Sequence, residues 1–227
     1  MKAALLEALA ELGLTLPERA IDTMCQFASR LLEQNRVMNL TAITQPQEVA
    51  RLHLADSLTL LTLEDLRGKQ VIDIGCGGGF PGVPLKIACP EMALTLLDST
   101  GKRMAWLAQT LAEMGIPAQC VTARAEEEAA NRREQYDAAV SRAVAHLPIL
   151  CELCLPYVKV GGVFLAMKGS AAQEEVQQAG RAITVLGGKL ERLVPMPMGH
   201  SVAVIRKIAP TPSRYPRRFG KIKQSPL

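Results

Sequence analysis

The sequence predicts a Rossmann-like α/β fold, a mainly parallel sheet with helices on both faces, preceded by a helical N-terminal extension. From Lys69 onward, short apolar runs alternate with stretches of helical periodicity, the order typical of such a sheet. The first of these runs, Val71 to Ile74, leads directly into a glycine-rich turn and then into a helical stretch. The residues before Lys69 show helical spacing and no strand-like alternation.

Each element follows from local periodicity and its breakers. In the extension, helices are expected at 2–12 and 17–37, separated by Gly13, and helix resumes from Val49 after a break at 39–44. Strands are expected at 70–74, 94–97, 119–123, 136–140 and 163–167, and helices at 82–89, 101–114, 125–134, 147–157 and 171–186. Two further runs, 190–194 and 201–206, could add antiparallel strands at one edge. We therefore divide the chain into a helical cap (1–66), an α/β domain (67–209) and a basic tail (210–227).

Composition limits the class of protein. The 227 residues are 48% hydrophobic, enough for one substantial core, and no run approaches the ~20 apolar residues of a membrane span. The N-terminus lacks the layout of a signal peptide, so a cytoplasmic protein without membrane contact is expected. The six cysteines are expected to be reduced. Cys151 and Cys154 form a single C-x-x-C pair among leucines, which favours a buried helix over a zinc or redox site, and we predict no metal.

Positive charge is concentrated at the C-terminus. The net charge is only +4, yet no Asp or Glu follows Glu191, while eight of the 26 basic residues do. Concentrated charge of one sign favours a polyanion partner, and aromatic residues among the cations could stack on unpaired bases. A loosely ordered tail is the alternative, because the segment contains several prolines. The candidate RNA-binding residues here are Arg214, Tyr215, Arg217, Arg218, Lys221 and Lys223.

The glycine-rich turn distinguishes between two cofactors. Glycines alternate at 75, 77 and 79, and Asp73 lies two residues before the first. Counted from Gly75, the dinucleotide fingerprint would need glycine at position 80, where this chain has Phe80. The alternating form suits S-adenosylmethionine, which has no pyrophosphate to bind. A turn that merely packs tightly remains the alternative.

The sequence Gly75-Cys-Gly-Gly-Gly-Phe-Pro-Gly82, followed by Val-Pro-Leu, resembles the loop of the RsmG (GidB) family of small-subunit rRNA guanine-N7 methyltransferases. Asn39-Leu-Thr, His53-x-x-Asp-Ser-Leu and Tyr215-Pro-Arg-Arg resemble further blocks of that family. Cys76 and Gly78 depart slightly from the usual loop, and Phe219 stands where many members have Pro. The resemblance implies a class I S-adenosylmethionine-dependent methyltransferase fold.

Ligands of such sheets bind at the carboxyl ends of the strands. Asp98 follows the second strand, where a carboxylate can accept both ribose hydroxyls, although it could instead cap the next helix. The resemblance assigns Ala125 and Glu126 to the adenine end of the cofactor. The predicted cofactor-binding set is Asp73, Gly75, Gly77, Gly79, Phe80, Asp98, Ala125, Glu126 and Arg142.

The residues after the fourth strand, Ser141-Arg142-Ala143, bear on the chemistry. They lack the Asp/Asn-Pro-Pro-aromatic motif of amine methyltransferases and the Pro-Cys nucleophile of pyrimidine carbon methyltransferases. Guanine N7 needs neither, because its lone pair is free, so we expect in-line transfer without a general base. Arg142 matches a family arginine and is predicted to position the substrate, with a structural ion pair as the alternative.

Three other residues are less well determined by the sequence. Lys168, after the fifth strand, could contact an RNA phosphate or be a solvated lysine. His53 and Asp56 share one helix face, and we favour a capping or core-edge polar pair over a face that covers the cofactor.

The resemblance implies methylation of guanine N7 in the 530 loop of 16S rRNA, at the position that the family numbers 527, by a monomer acting on the small ribosomal subunit. In the family, loss of activity is associated with streptomycin resistance. The residues alone lead only to a methyltransferase with a polyanion partner. A methyltransferase for a small molecule or protein, and a non-catalytic nucleotide-binding regulator, remain open.

Overall fold

The computed structural model describes all residues from 1 to 227 and contains one seven-stranded sheet. Its strand order is β3-β2-β1-β4-β5-β7-β6. The first five strands pair in parallel, whereas β7 is antiparallel to both β5 and β6. The strands are β1 (Gln70–Ile74), β2 (Ala93–Asp98), β3 (Gln119–Thr122), β4 (Tyr136–Arg142), β5 (Val158–Lys168), β6 (Gly188–Pro195) and β7 (Ser201–Lys207).

Ten α-helical segments accompany the sheet. They are α1 (Lys2–Glu11), α2 (Glu18–Asn35), α3 (Pro46–Val49), α4 (Asp56–Leu58), α5 (Gly82–Ala88), α6 (Gly101–Glu113), α7 (Ala125–Glu128), α8 (Leu147–Cys154), α9 (Ala172–Val185) and α10 (Phe219–Gln224). A π-helical turn (Ala50–Ala55) joins α3 to α4, and 3₁₀ turns follow at Thr59–Thr62 and Leu155–Tyr157. No helix combines the length and apolar character that crossing a membrane would require.

Side-chain alternation along the strands divides the core into two layers. Along β1, Val71 belongs to the layer that includes α1, α2, α5 and α6, whereas Ile72 belongs to the layer that includes α8, α9 and α10. Neighbouring residues of a strand point to opposite faces, so a buried sheet must be apolar on both. The N-terminal helices therefore share one continuous core with the sheet, and the predicted cap (1–66) packs as a layer of the domain.

The expected α/β alternation is confirmed, and several predicted boundaries are wrong. The helix predicted at 125–134 is a single turn, α7, after which the chain reverses at Glu134 with a positive φ of 51°. The helix predicted at 147–157 ends at Cys154, and a 3₁₀ turn containing Pro156 follows it. Strand β5 begins at Val158, five residues before the predicted start. The two late runs form antiparallel strands, as expected.

The C-terminal tail (210–227) packs against the domain, which disfavours the alternative of a loosely ordered tail. Ile222 on α10 is fully buried, and Tyr215 is 8% exposed. Arg217 makes a bidentate pair with Glu152 of α8, at 2.8 Å for Nε–Oε1 and 2.6 Å for Nη2–Oε2. Since the Glu152 side chain is fully buried, this pair anchors the tail against α8.

All six cysteines are free, and the pair at 151 and 154 is fully buried on α8. Burial raises the pKa of the Cys151 and Cys154 thiols because the interior disfavours a thiolate. The two cysteines of the C-x-x-C motif therefore pack in the core. Within residues 1–227, no group of His, Cys, Asp or Glu side chains has the arrangement of a metal site.

Candidate active site

A cleft of about 500 Å³ opens at the carboxyl ends of β1, β2 and β4, where ligands of parallel α/β sheets bind. Its size lies within the range of small-molecule sites. Seven of the nine predicted cofactor residues line it: Gly75, Gly77, Phe80, Asp98, Ala125, Glu126 and Arg142. The other two, Asp73 and Gly79, do not line it.

The glycine-rich turn brings backbone to the surface of the cleft. Gly75 has a φ of +73°, and a Cβ there would lie 2.5 Å from a methyl group of Val144. Gly77 also has a positive φ, +53°, but a Cβ would meet nothing within 4 Å because this residue faces the open cleft. Gly79, at +97°, is instead crowded by Val83 of α5. The three glycines thus have different roles, and Gly77 leaves the most room for a ligand.

Asp73 holds the turn from behind. It is fully buried, and its Oδ2 accepts a hydrogen bond of 2.7 Å from the Gly82 N–H at the start of α5. Its Oδ1 has no partner in the protein. Burial raises the pKa of this carboxyl to about 7, which the Gly82 hydrogen bond and Arg142 partly oppose. Asp73 therefore does not contact the cleft directly, and it positions the turn.

Asp98 binds the backbone on both sides of the end of β2. Its Oδ1 accepts a hydrogen bond of 2.8 Å from the Thr100 N–H, just before α6, and its Oδ2 accepts one of 3.1 Å from the Gly77 N–H. Because an ionised carboxylate has about four lone-pair positions, this residue can still accept from a ligand hydroxyl. Asp98 thus ties the end of β2 to the glycine turn while it lines the cleft.

The guanidinium of Arg142, at the end of β4, is held by the N-terminal layer. Its Nη1 donates to Leu52 O at 3.0 Å and to Asp56 Oδ2 at 3.2 Å, and its Nη2 donates to His53 Nδ1 at 2.9 Å. It also lies over the ring of Phe80, 5.1 Å from the centroid. Burial lowers the pKa of Arg142, and Asp56 opposes that shift. Arg142 is therefore both part of an ion pair and part of the cleft wall.

The structure separates the two residues that were expected to form a capping or core-edge polar pair: Asp56 is buried and does not line the cleft, whereas His53 does. His53 lines the cleft and stacks on Phe80, with ring centroids 4.7 Å apart. Burial and, next, Arg142 lower the pKa of His53 to about 4. Since Arg142 can only donate, His53 Nδ1 accepts, and Nε2–H donates to Thr41 Oγ1 at 2.7 Å. His53 is therefore neutral, with both ring nitrogens in use.

A second histidine approaches the same carboxylate. His200, between β6 and β7, places its Nδ1 2.6 Å from Asp56 Oδ1 but without the alignment of a hydrogen bond. Asp56 thus lies between Arg142 at the end of β4 and His200 just before β7, and links the N-terminal layer to both parts of the sheet. Neither histidine could be assigned from sequence, because their partners are far away along the chain.

The predicted RNA-binding residues separate into two groups. Lys168 is 7% exposed, donates to Ala145 O at 2.7 Å and pairs with Glu175 at 2.8 Å, so its placement supports neither a phosphate contact nor a solvated lysine. Tyr215 and Arg217 hold the tail against the domain, as described above. The exposed cations are Arg214, Arg218, Lys221 and Lys223.

Sequence reasoning missed several residues of the cleft, most clearly Phe219. Its ring, at the first position of α10, lines the cleft with Asp98 and Glu126, and the Arg124 guanidinium lies 5.8 Å from its centroid. The only signal in the sequence is an aromatic residue within the basic tail, a pattern that favours base stacking, and Phe219 belongs to neither the predicted cofactor set nor the predicted RNA-binding set. The other residues missed include Leu40, Thr41, Ser99, Arg103, Val144 and Leu153.

The lining of the cleft fits S-adenosylmethionine in its chemistry. Gly77 offers open backbone, Asp98 offers a carboxylate for hydroxyl groups, and Leu97 and Leu153 offer apolar walls. Phe80 breaks the G-x-G-x-x-G motif only when it is counted from Gly75. Counted from Gly77, residues 77–82 match it and lead into α5, so the glycine pattern by itself does not distinguish S-adenosylmethionine from a dinucleotide, contrary to the expectation from the sequence.

Comparison with known proteins agrees with this assignment. The model of the family described as "GidB: rRNA small subunit methyltransferase G" matches residues 20–201. The "Ribosomal RNA small subunit methyltransferase G" of Alkaliphilus metalliredigens is 44% identical over 226 residues, which cover 96% of this chain and 95% of the relative. That of Clostridium novyi is 44% identical over 219 residues, covering 92% and 90%.

Solved structures support the fold. A SAM-dependent methyltransferase from Aquifex aeolicus matches with a TM-score of 0.56 at 13% identity, over 80% of this chain and 98% of that one. The fibrillarin pre-rRNA processing protein of Methanococcus jannaschii matches at 0.53 and 15% identity, over 64% and 70%. Both identities are too low to carry more than architecture. From the family model and its relatives, we conclude that the chain belongs to the GidB family and is an S-adenosylmethionine-dependent methyltransferase.

Proposed function

We propose that the protein methylates N7 of a guanine in 16S rRNA, at the position that the family numbers 527 in the 530 loop. The observation that carries the proposal is a cofactor cleft whose neighbouring histidine is neutral and fully hydrogen-bonded. The names of the relatives, which describe small-subunit rRNA methyltransferases, supply the substrate class.

The hydrogen bonding of His53 suits a nucleophile that carries no proton. The pKa of His53, lowered to about 4, makes this ring a poor base, and its Nδ1 lone pair already accepts from Arg142. Cys76 also lines the cleft, but burial raises the pKa of its thiol, whose Sγ lies 3.6 Å from Met104 Sδ. Guanine N7 has a lone pair in the ring plane. The protein therefore needs to align it in line with the methyl group, and proximity can supply much of the rate.

S-adenosylmethionine supplies the electrophilic methyl group when it is bound. The protein then has to position the guanine, and Arg142 is placed for that role. A guanidinium has five N–H donors, of which three are used on Leu52, His53 and Asp56. The Nε–H and the second Nη2–H remain for an acceptor in the cleft. Guanine presents O6 beside N7, and arginine commonly donates to this edge.

The exposed cations of the C-terminal tail are proposed to contact rRNA phosphates. Arg218 and Lys221 are on or next to α10, whose first residue lines the cleft, so phosphate contacts there would hold RNA close to Arg142. Each phosphate contact releases counterions, which makes affinity depend on salt. We propose that the protein acts on the small ribosomal subunit as a cytoplasmic monomer.

Methyl transfer from labelled S-adenosylmethionine tests the function. Small subunits, free 16S rRNA and a metabolite extract are incubated separately, and nucleosides from the RNA are resolved by mass spectrometry. The expected result is 7-methylguanosine at one position of the 530 loop. Label confined to a metabolite would favour the small-molecule alternative, and binding without transfer would favour a regulator.

Variants separate positioning from RNA affinity. Arg142→Ala should abolish most methyl transfer while RNA affinity stays within about twofold. Lys221→Ala should weaken RNA binding at higher salt. It should also reduce the magnitude of the slope of log affinity against log salt by about 1, which corresponds to the loss of one phosphate contact. Lys189→Ala, at an exposed lysine on the edge strand β6, is the matched control and should change neither. Equal, salt-independent losses for both test variants would contradict this division.

A further inference from the structure

The feature that the proposed function leaves unused is the ring of Phe219. It is half-buried and lies between two spaces: the cofactor cleft, and an outer groove lined by Arg124, Glu127 and Arg218. On the cleft side it shares the wall with Ala125 and Glu126 at the end of β3. An aromatic ring that separates a cleft from a charged groove has one apolar face available to a ligand.

The backbone at Phe219 is held firmly enough to serve as a wall. Arg218 O accepts from the Lys221 and Ile222 N–H groups at 2.9 and 3.1 Å, which closes the turn that begins α10. Ile222, fully buried, inserts into the core beneath the ring. Just before it, the bidentate pair of Arg217 and Glu152 fixes the chain to α8.

The position of the ring indicates which part of a ligand it meets. Asp98 lies at the end of β2 with lone pairs for ribose hydroxyls, and Ala125 and Glu126 lie at the end of β3. A nucleoside whose ribose contacts Asp98 therefore places its base between the ends of β2 and β3. Phe219 lies on that side of the cleft, and the methyl-transfer end, near Arg142, lies on the other.

We propose that Phe219 stacks on the adenine of S-adenosylmethionine, so that the C-terminal segment is part of the cofactor site as well as an RNA contact. The inference rests on the proposed function and on the assignment of Ala125 and Glu126 to the adenine end, which the family resemblance implies. Leu97 and Leu153 supply the remaining apolar surface around the base. Arg124, which lines both the cleft and the groove, has its guanidinium 5.8 Å from the ring centroid, within the range of a cation–π contact.

Calorimetric titration with S-adenosylhomocysteine tests this proposal without RNA or turnover. Phe219→Ala should weaken affinity about tenfold, within the range that base–aromatic stacking contributes elsewhere. Phe219→Tyr keeps the ring and should stay within threefold of the unsubstituted protein. Gln224→Ala, at an exposed position of the same helix, is the matched control and should change nothing. Thermal unfolding of each free protein shows whether α10 remains docked.

A truncated ligand locates the lost interaction. The nucleoside 5′-methylthioadenosine keeps adenine and ribose but lacks the amino acid, and it is measured by competition against S-adenosylhomocysteine. If Phe219 meets adenine, Phe219→Ala weakens both ligands by the same factor. Unchanged affinity in Phe219→Ala, or a loss confined to S-adenosylhomocysteine, would overturn the proposal. Because neither measurement involves rRNA, a failure to methylate the 530 loop would leave this result standing, and the reverse also holds.

Discussion

Replacing Asp56 with Asn tests whether Arg142 must be held in place for methyl transfer. The Arg142 and Asp56 side chains are 16% and 9% exposed, and Nη1 and Oδ2 are 3.2 Å apart. The substitution keeps the size of the side chain and removes its charge. His53 and Leu52 remain to accept from the guanidinium, so the arginine stays near the cleft but loses its anionic partner.

The expected cost follows from the geometry of the pair. At an effective dielectric constant of about 20, unit charges at this separation attract by about 5 kcal/mol. The amide oxygen of Asn can still accept a hydrogen bond, which restores about 1.5 to 2 kcal/mol. The free energy of unfolding should therefore fall by about 3 kcal/mol, in line with the loss of one member of a buried pair. A typical domain, stable by about 5 to 15 kcal/mol, would remain folded.

The assays are urea denaturation, S-adenosylhomocysteine titration and methyl transfer to small subunits. Because Asp56 does not line the cleft, cofactor affinity should change less than threefold. The value of kcat should fall at least tenfold, since the arginine is no longer confined to one orientation. Asp65→Asn, which removes an exposed acid paired with exposed Arg67, is the matched control. Unchanged kcat with the expected loss of stability would refute the positioning role of the pair.

Three further substitutions probe the turn, the tail and the neutral histidine. Gly75→Ala should lower the free energy of unfolding by about 1 to 3 kcal/mol, measured in urea, because of its positive φ and the approach of Val144; full stability would contradict the geometry. Glu152→Ala should free the tail from Arg217, so that limited proteolysis cleaves it and S-adenosylhomocysteine binds more weakly; a protected tail would exclude this anchor. His53→Asn should be less destabilising at pH 4.5 than at pH 7. The folded pKa of about 4 lies below the unfolded 6.5, so the unfolded state binds more protons between these values, and this residue's contribution to stability rises with pH. Stability curves at both pH values measure the difference, about 2 to 3 kcal/mol, and a constant difference would show that His53 does not titrate in this way.

Local chemistry accounts for the features that were predicted well. Gly75, Gly77 and Phe80 act through backbone conformation and immediate neighbours, so their order along the chain predicts a strand, a turn and a helix. Asp98 follows β2 at the spacing that a βαβ unit requires, and it lines the cleft as expected. The alternation of apolar runs similarly predicted the parallel strands, because the apolar character of each run depends only on the burial of its own residues.

The sequence by itself determined the strand–turn–helix unit, the order of the α/β elements and the positive charge of the C-terminus. Only the tertiary structure decided which polar groups meet. Arg142 finds Asp56 across 86 residues, Arg217 finds Glu152 across 65, and Lys168 turns inward to Glu175. It also placed Phe219 in the cofactor cleft rather than among the solvent-exposed residues of the tail. The physical reason is that a side chain's partner depends on where distant segments pack, whereas the conformation of a glycine turn depends on the few residues that form it.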